Sequence, residues 1–103
     1  MAEFVKQGDV DITGTLLYTG SQAPNLSRVM TLSFNNSLAY VLTLERYDAA
    51  TASTIVLYEI TLAAGDTVND TLTYALNAGD TLTVYSDIVG TSYYIYGVDY
   101  ASN

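Results

Sequence analysis

The hexapeptide Leu62-Ala63-Ala64-Gly65-Asp66-Thr67 returns fourteen residues later, with one change, as Leu76-Asn77-Ala78-Gly79-Asp80-Thr81. Each copy sits between segments in which apolar and polar residues alternate. Each therefore reads as the end of one strand, a tight turn and the start of another. Glycine accepts the positive φ that a side chain resists, aspartate ties its carboxylate to nearby backbone N–H groups, and β-branched threonine restarts the extended chain. Gly65, Asp66, Gly79 and Asp80 are the turn-forming residues. A unit of strand, turn and strand at this spacing predicts an antiparallel sandwich, and it carries no chemistry of its own.

The rest of the chain keeps the same rhythm. Val10 to Thr19 is broken at Gly14, where a bulge or bend is expected. A loop over 20–25 holds the single proline, and Leu26 to Phe34 follows with Met30, Leu32 and Phe34 on one face. Asn35-Asn36-Ser37 reads as a turn, because asparagine tolerates left-handed dihedrals. Leu38 to Tyr47 alternates, with Leu38, Tyr40, Leu42 and Leu44 opposite Ala39, Val41, Thr43 and Glu45. Thr54 to Leu62, Thr67 to Leu76, Thr81 to Ser86 and Ser92 to Tyr100 complete seven strands. No sustained 3.6-residue apolar period competes with them. The fold expected is all-β: one antiparallel sandwich of about seven strands over residues 10–103, jelly-roll-like or immunoglobulin-like. Residues 1–9 mix charge and hydrophobicity without a period and read as an N-terminal arm, with Phe4 and Val5 its large apolar groups.

Composition narrows the chemistry. A chain of 103 residues forms one domain and hides enough surface for a single core. It has no cysteine, so no disulfide or thiolate metal site can form, and no histidine, which removes the commonest general base and metal ligand. Eleven acidic side chains face only Lys6, Arg28 and Arg46, a net charge of −8 that opposes nucleic acid and anionic membrane surfaces. No apolar stretch is long enough to cross a bilayer as a helix, and the first residues lack the apolar middle of a signal peptide. Synthesis and folding in a cytoplasm are expected.

Carboxylates are the remaining catalytic material. Asp66, Asp70, Asp80 and Asp87 would meet only if their turns gathered at one end of the sandwich. Their spacing does not follow the calcium loop of alternating ligands closed by a glutamate. Turn residues satisfied by backbone explain them, so no catalytic, cofactor or metal residues are assigned. Three Asn-x-Ser/Thr triplets, at Asn25, Asn35 and Asn69, follow from the abundance of serine and threonine.

Tyrosine is the second unusual feature, with ten in the chain. Tyr93, Tyr94, Tyr96 and Tyr100 lie in the last strand and Tyr85 in the one before. By parity Tyr94, Tyr96 and Tyr100 share one face while Tyr93 and Ile95 point the other way. Tyrosine brings contact area and a hydroxyl suited to a wet rim; it also suits any half-buried strand position. Phe4, Val5, Tyr85, Tyr93, Tyr94, Tyr96 and Tyr100 are the candidate interface residues.

From Gly14 onward the order of features resembles small bacteriophage virion proteins, the β-sandwich accessory subunits of heads and tails. The resemblance lies in Leu16-Leu17-Tyr18-Thr19 before a loop, and in Leu26 to Asn36 with Ser37 after it. It continues through Tyr58 to Asp66, Leu76 to Val84, and Ile95-Tyr96-Gly97-Val98-Asp99. It implies a non-enzymatic virion protein: a capsid decoration, head-fibre or tail-attachment subunit. Such a subunit would work as a symmetric homo-oligomer, a trimer by analogy with capsid symmetry, on partners such as the major capsid protein. The alternative is a module that recognises carbohydrate or a receptor on a host surface. Exposed Tyr93 or Tyr94 beside a concave pocket would favour the alternative, and a flat patch the structural role.

Overall fold

The computed structural model describes residues 2–20, 26–76 and 79–100, with side-chain surroundings over 5–20, 31–70, 76 and 79–97. Eight strands occur among the described residues: β1 (Ala2–Asp9), β2 (Thr15–Thr19), β3 (Leu26–Asn35), β4 (Tyr40–Asp48), β5 (Ser53–Leu62), β6 (Thr67–Leu76), β7 (Thr81–Ser86) and β8 (Ser92–Tyr100). They form two four-stranded sheets, β1-β8-β3-β6 and β2-β7-β4-β5, paired antiparallel throughout. Only β4 and β5 are hairpin neighbours; every other connection carries the chain from one sheet to the other. This interleaving is the jelly-roll order, and four strands in each sheet separates it from the four-plus-three immunoglobulin arrangement.

The eighth strand is the segment expected to be an arm. Ala2–Asp9 is hydrogen-bonded in register to β8, from Ala2 opposite Asp99 to Asp9 opposite Ser92. Its mixture of charged and apolar residues is what an edge strand carries. Lys6, on the row of Ile95 and Leu32, turns its amine to the Leu16 carbonyl of β2, 3.0 Å away. On the far side of the sandwich the same row ends in Asp70 of β6, which accepts a 2.8 Å hydrogen bond from the Tyr58 hydroxyl of β5. Both open sides are thus closed by a polar tie between sheets, and a charge at inward parity blunts each edge of the first sheet.

Between the sheets lie Leu32, Phe34, Leu76, Tyr93 and Ile95 from one side and Leu17, Tyr40, Leu42, Leu44, Leu82 and Val84 from the other. The alternation that marks β4 and β7 as strands is the same alternation that buries Leu42, Leu44, Leu82 and Val84. The β2 strand begins only at Thr15. Before it, Asp11 to Gly14 makes a turn in which the Gly14 N–H donates to the Asp11 carbonyl (3.1 Å) and the Asp11 N–H to the Thr15 hydroxyl (2.8 Å). Gly14 has φ of 110°, and a Cβ there would lie 2.6 Å from the Tyr85 ring. Gly14→Ala should therefore lower stability by about 1–3 kcal/mol, through backbone strain and displacement of the ring, as read by urea unfolding.

Asn35-Asn36-Ser37 leads into the β3–β4 connection, as expected, but without left-handed dihedrals. Asn35 ends β3, and neither asparagine takes a positive φ; among the described residues the one non-glycine residue that does is Ala52, in the β4–β5 turn. Asn36 is buried and uses its side chain as a hydrogen-bonding hub.

Candidate interaction surfaces

The four aspartates do not converge. Asp66 and Asp80 lie at opposite ends of the sandwich, because β6 runs its full length between them. Gly65 and Gly79 take φ of 81° and 87°, as the repeated turns require. Both turns change sheets rather than fold a hairpin. Asp66 is exposed, with its backbone carbonyl accepting the Tyr40 hydroxyl at 2.8 Å. Asp80 is fully buried: one carboxylate oxygen accepts the Arg46 guanidinium at 2.7 Å and the other the Ala49 N–H at 2.9 Å. Asp70 lies mid-strand against Tyr58, and Asp87 accepts the Val41 N–H at 2.7 Å. Among the described residues no group of three acidic side chains could hold a metal ion.

Two tyrosines have hydroxyls held neutral by their surroundings. Burial, then the charge of Asp66, raises the Tyr40 phenol above its ordinary value of 10.0. Burial, then the charge of Glu45 and a hydrogen bond to it, raises Tyr85. A folded state that holds a proton more tightly than the unfolded chain is favoured below the unfolded value and loses that advantage as pH rises through the folded one. The tyrosines' contribution to urea-unfolding stability should therefore be constant below about pH 10 and be lost above it, and Tyr40→Phe should make that alkaline fall shallower.

The candidate interface residues separate into distinct surroundings. Tyr93 is 8% exposed and belongs to the core beneath Gly8, reaching the surface only at the depression beside Tyr94. Tyr94 and Tyr96, 41% and 38% exposed, stand on the outer face of the first sheet. Val5 lies directly opposite Tyr96 on β1, with Thr31 on its other side. Tyr85 is half-buried on the other sheet, packed against Gly14. The side chains of Phe4 and Tyr100 lie outside the described residues.

Beside Tyr94 the outer face dips into an open depression of about 450 Å³, bordered by Gln7, Asp9, Ser33, Asn35 and Ser92. The Asn35 amide is already engaged, with the Gly65 carbonyl at 3.0 Å and the Thr67 hydroxyl at 2.7 Å.

One surface was not foreseen. Ile55, Val56 and Leu57 are consecutive, exposed and on β5, the edge of the second sheet. The sequence signal was an apolar run without alternation, which normally marks a strand covered on both faces. Here a register shift in the β4–β5 ladder, between Leu44 and Glu45, displaces the run at an uncovered edge.

No family model matches the chain, and no curated protein matches it by sequence. Solved structures do. A subunit of the Bacillus endospore appendages, described as disulfide-linked pili, superposes with a TM-score of 0.65 at 14% identity over 99% of this chain and 87% of its own. A pentameric capsid protein from metagenomic phage sequences gives 0.53 at 22% identity, over 90% of this chain and 58% of the capsid protein. A chain of the T13 IBDV viral particle gives 0.51 at 12% identity over 92% of this chain and 30% of its own. Likeness at these identities is likeness of fold, and the fold is one that capsids and a pilus use.

Proposed function

We propose that this chain is a non-enzymatic structural subunit of a bacteriophage particle, acting as a symmetric homo-oligomer, a trimer, in capsid decoration or at a head or tail accessory position. The observation that carries it is the outer face of the first sheet. Val5, Tyr94 and Tyr96 project there from paired strands of a jelly roll, and Asp70, Asp80 and Asp87 are engaged by Tyr58, Arg46 and the Val41 N–H rather than gathered into a cleft. The capsid and pilus neighbours support a building-block role by analogy of fold. The major capsid protein is the partner this reading assigns, and the virion its location. Sedimentation of purified protein with phage particles tests it. Wild type should co-sediment, and the double variant Tyr94→Ser/Tyr96→Ser should lose about tenfold or more in affinity with its melting temperature little changed. A monomer that fails to associate with particles would overturn the reading.

The depression beside Tyr94 favours a second reading, a site for host carbohydrate, in which the ring stacks on a sugar while Gln7, Asp9 and Ser33 hydrogen-bond its hydroxyls. A glycan array separates the two: signal abolished by Tyr94→Ser supports this site, and a blank array removes it.

A further inference from the structure

We propose that β5 pairs with β2 of a second copy of this chain set beside it in the same orientation, so that the second sheet runs on from subunit to subunit. The inference rests on the assembling role proposed above and names the surface that would build it. The two open sides of the sandwich are complementary, residue row by residue row. Across the second sheet, Leu16 lies opposite Thr83, Thr83 opposite Glu45, and Glu45 opposite Val56. Val56 and Leu16 therefore end the same row at opposite edges, 52% and 49% exposed. Across the first sheet, the row Lys6-Ile95-Leu32-Asp70 ends in a cation on one side and a carboxylate on the other. The hydrogen bonds from Lys6 to Leu16 and from Tyr58 to Asp70 put the two rows at neighbouring heights. A copy displaced sideways thus brings its Leu16 to Val56 and its Lys6 to Asp70.

Strand direction agrees. Each sheet has four antiparallel strands, so a neighbour in the same orientation meets β5 with an antiparallel β2. A two-fold arrangement of β5 on β5 would also be antiparallel. It would set the Glu59 and Asp70 sides of two chains, each of net charge −8, against one another and leave Leu16 uncovered. Complementary charge therefore selects the head-to-tail contact. Such a contact is heterologous, and the sheet twist determines whether it closes into a ring or continues as a filament. Pairing also removes the exposed apolar edge that a free β5 presents.

The chain has no cysteine, which makes disulfide trapping selective. Within one subunit, positions 16 and 56 are three strands apart, about 14 Å at the usual spacing, beyond the reach of a disulfide. Oxidised Leu16→Cys/Val56→Cys protein should give a ladder of covalent oligomers. Leu16→Cys mixed with Val56→Cys should give dimers, and neither alone should cross-link. Lys6→Glu should cut ladder yield by about two- to fivefold at low salt, and adding Asp70→Lys should restore it. Dimers from Val56→Cys alone would replace this contact with a two-fold one and overturn the inference. So would wild-type protein that assembles while the double-cysteine protein yields no ladder. Wild-type protein that sediments as a single subunit at every concentration would overturn this contact, and the assembling role with it only if it also fails to associate with particles.

Discussion

Asp80→Ala should remove about 3–5 kcal/mol of folding stability, measured by urea unfolding, while Asp66→Ala at the matching position of the twin turn should change it by about 0.5 kcal/mol or less. The difference follows from burial and partners alone. Asp80 is fully buried and ties the β6–β7 turn to β4, through Arg46, and to the β4–β5 turn, through the Ala49 N–H. Removing it leaves a guanidinium in a half-buried setting without this carboxylate, and a backbone donor without its acceptor. Asp66 is exposed, and the contact that matters there, its carbonyl with the Tyr40 hydroxyl, belongs to the backbone and survives the substitution. Asp80→Asn separates charge from shape: it should retain a fraction of the loss, because an amide oxygen can still accept the Ala49 N–H. Equal losses at the two positions would mean that the twin turns are held the same way.

The twin turns also mark where sequence reasoning stops. Glycine, aspartate and threonine at that spacing specify a turn with positive φ, and both copies have it. They do not specify that each turn changes sheets, nor that Arg46, thirty-four residues before Asp80, waits at one end and not the other. Side-chain parity was legible. It put Tyr94 and Tyr96 on one face and Ile95 on the other, and it gave the buried rows of β4 and β7 because alternation is local. Which strand lies beside which is not local, so β1 looked like an arm until β8 was placed next to it. Tyr93 shows the limit within one strand. Its parity is opposite to that of Tyr94, yet only the close approach of Gly8 over its ring shows that it is covered. The Ile55-Val56-Leu57 run was visible as apolar, but its exposure depends on β5 being an edge, a fact of strand order.

Asn36→Ala should cost about 3 kcal/mol, and Asn35→Ala about 1 kcal/mol or less, although the two residues are neighbours in sequence and identical in type. Asn36 is buried where three loops meet. Its amide donates to the Val89 carbonyl (3.1 Å) and the Thr91 hydroxyl (2.8 Å), and its oxygen accepts the Leu38 N–H (3.0 Å). The Thr91 hydroxyl is shared in turn with Ser86 at 2.7 Å, and the Thr91 carbonyl accepts the Val10 N–H at 2.8 Å. Loss of Asn36 thus takes a partner from a part-buried backbone donor, a part-buried backbone acceptor and a buried hydroxyl, each at about 1 kcal/mol. Asn35 lies in the exposed rim, where water replaces its bonds to Gly65 and Thr67. Because Thr91 immediately precedes β8, the damage should spread to the strand that carries Tyr94 and Tyr96. Hydrogen exchange should accelerate at Leu38 and Val10 in Asn36→Ala and stay slow in Asn35→Ala. A double-mutant cycle with Thr91→Val should give a coupling of about 1 kcal/mol, since either change alone already breaks the shared bond. Additive losses would mean that the three side chains act separately and that this end of the sandwich is held by its backbone.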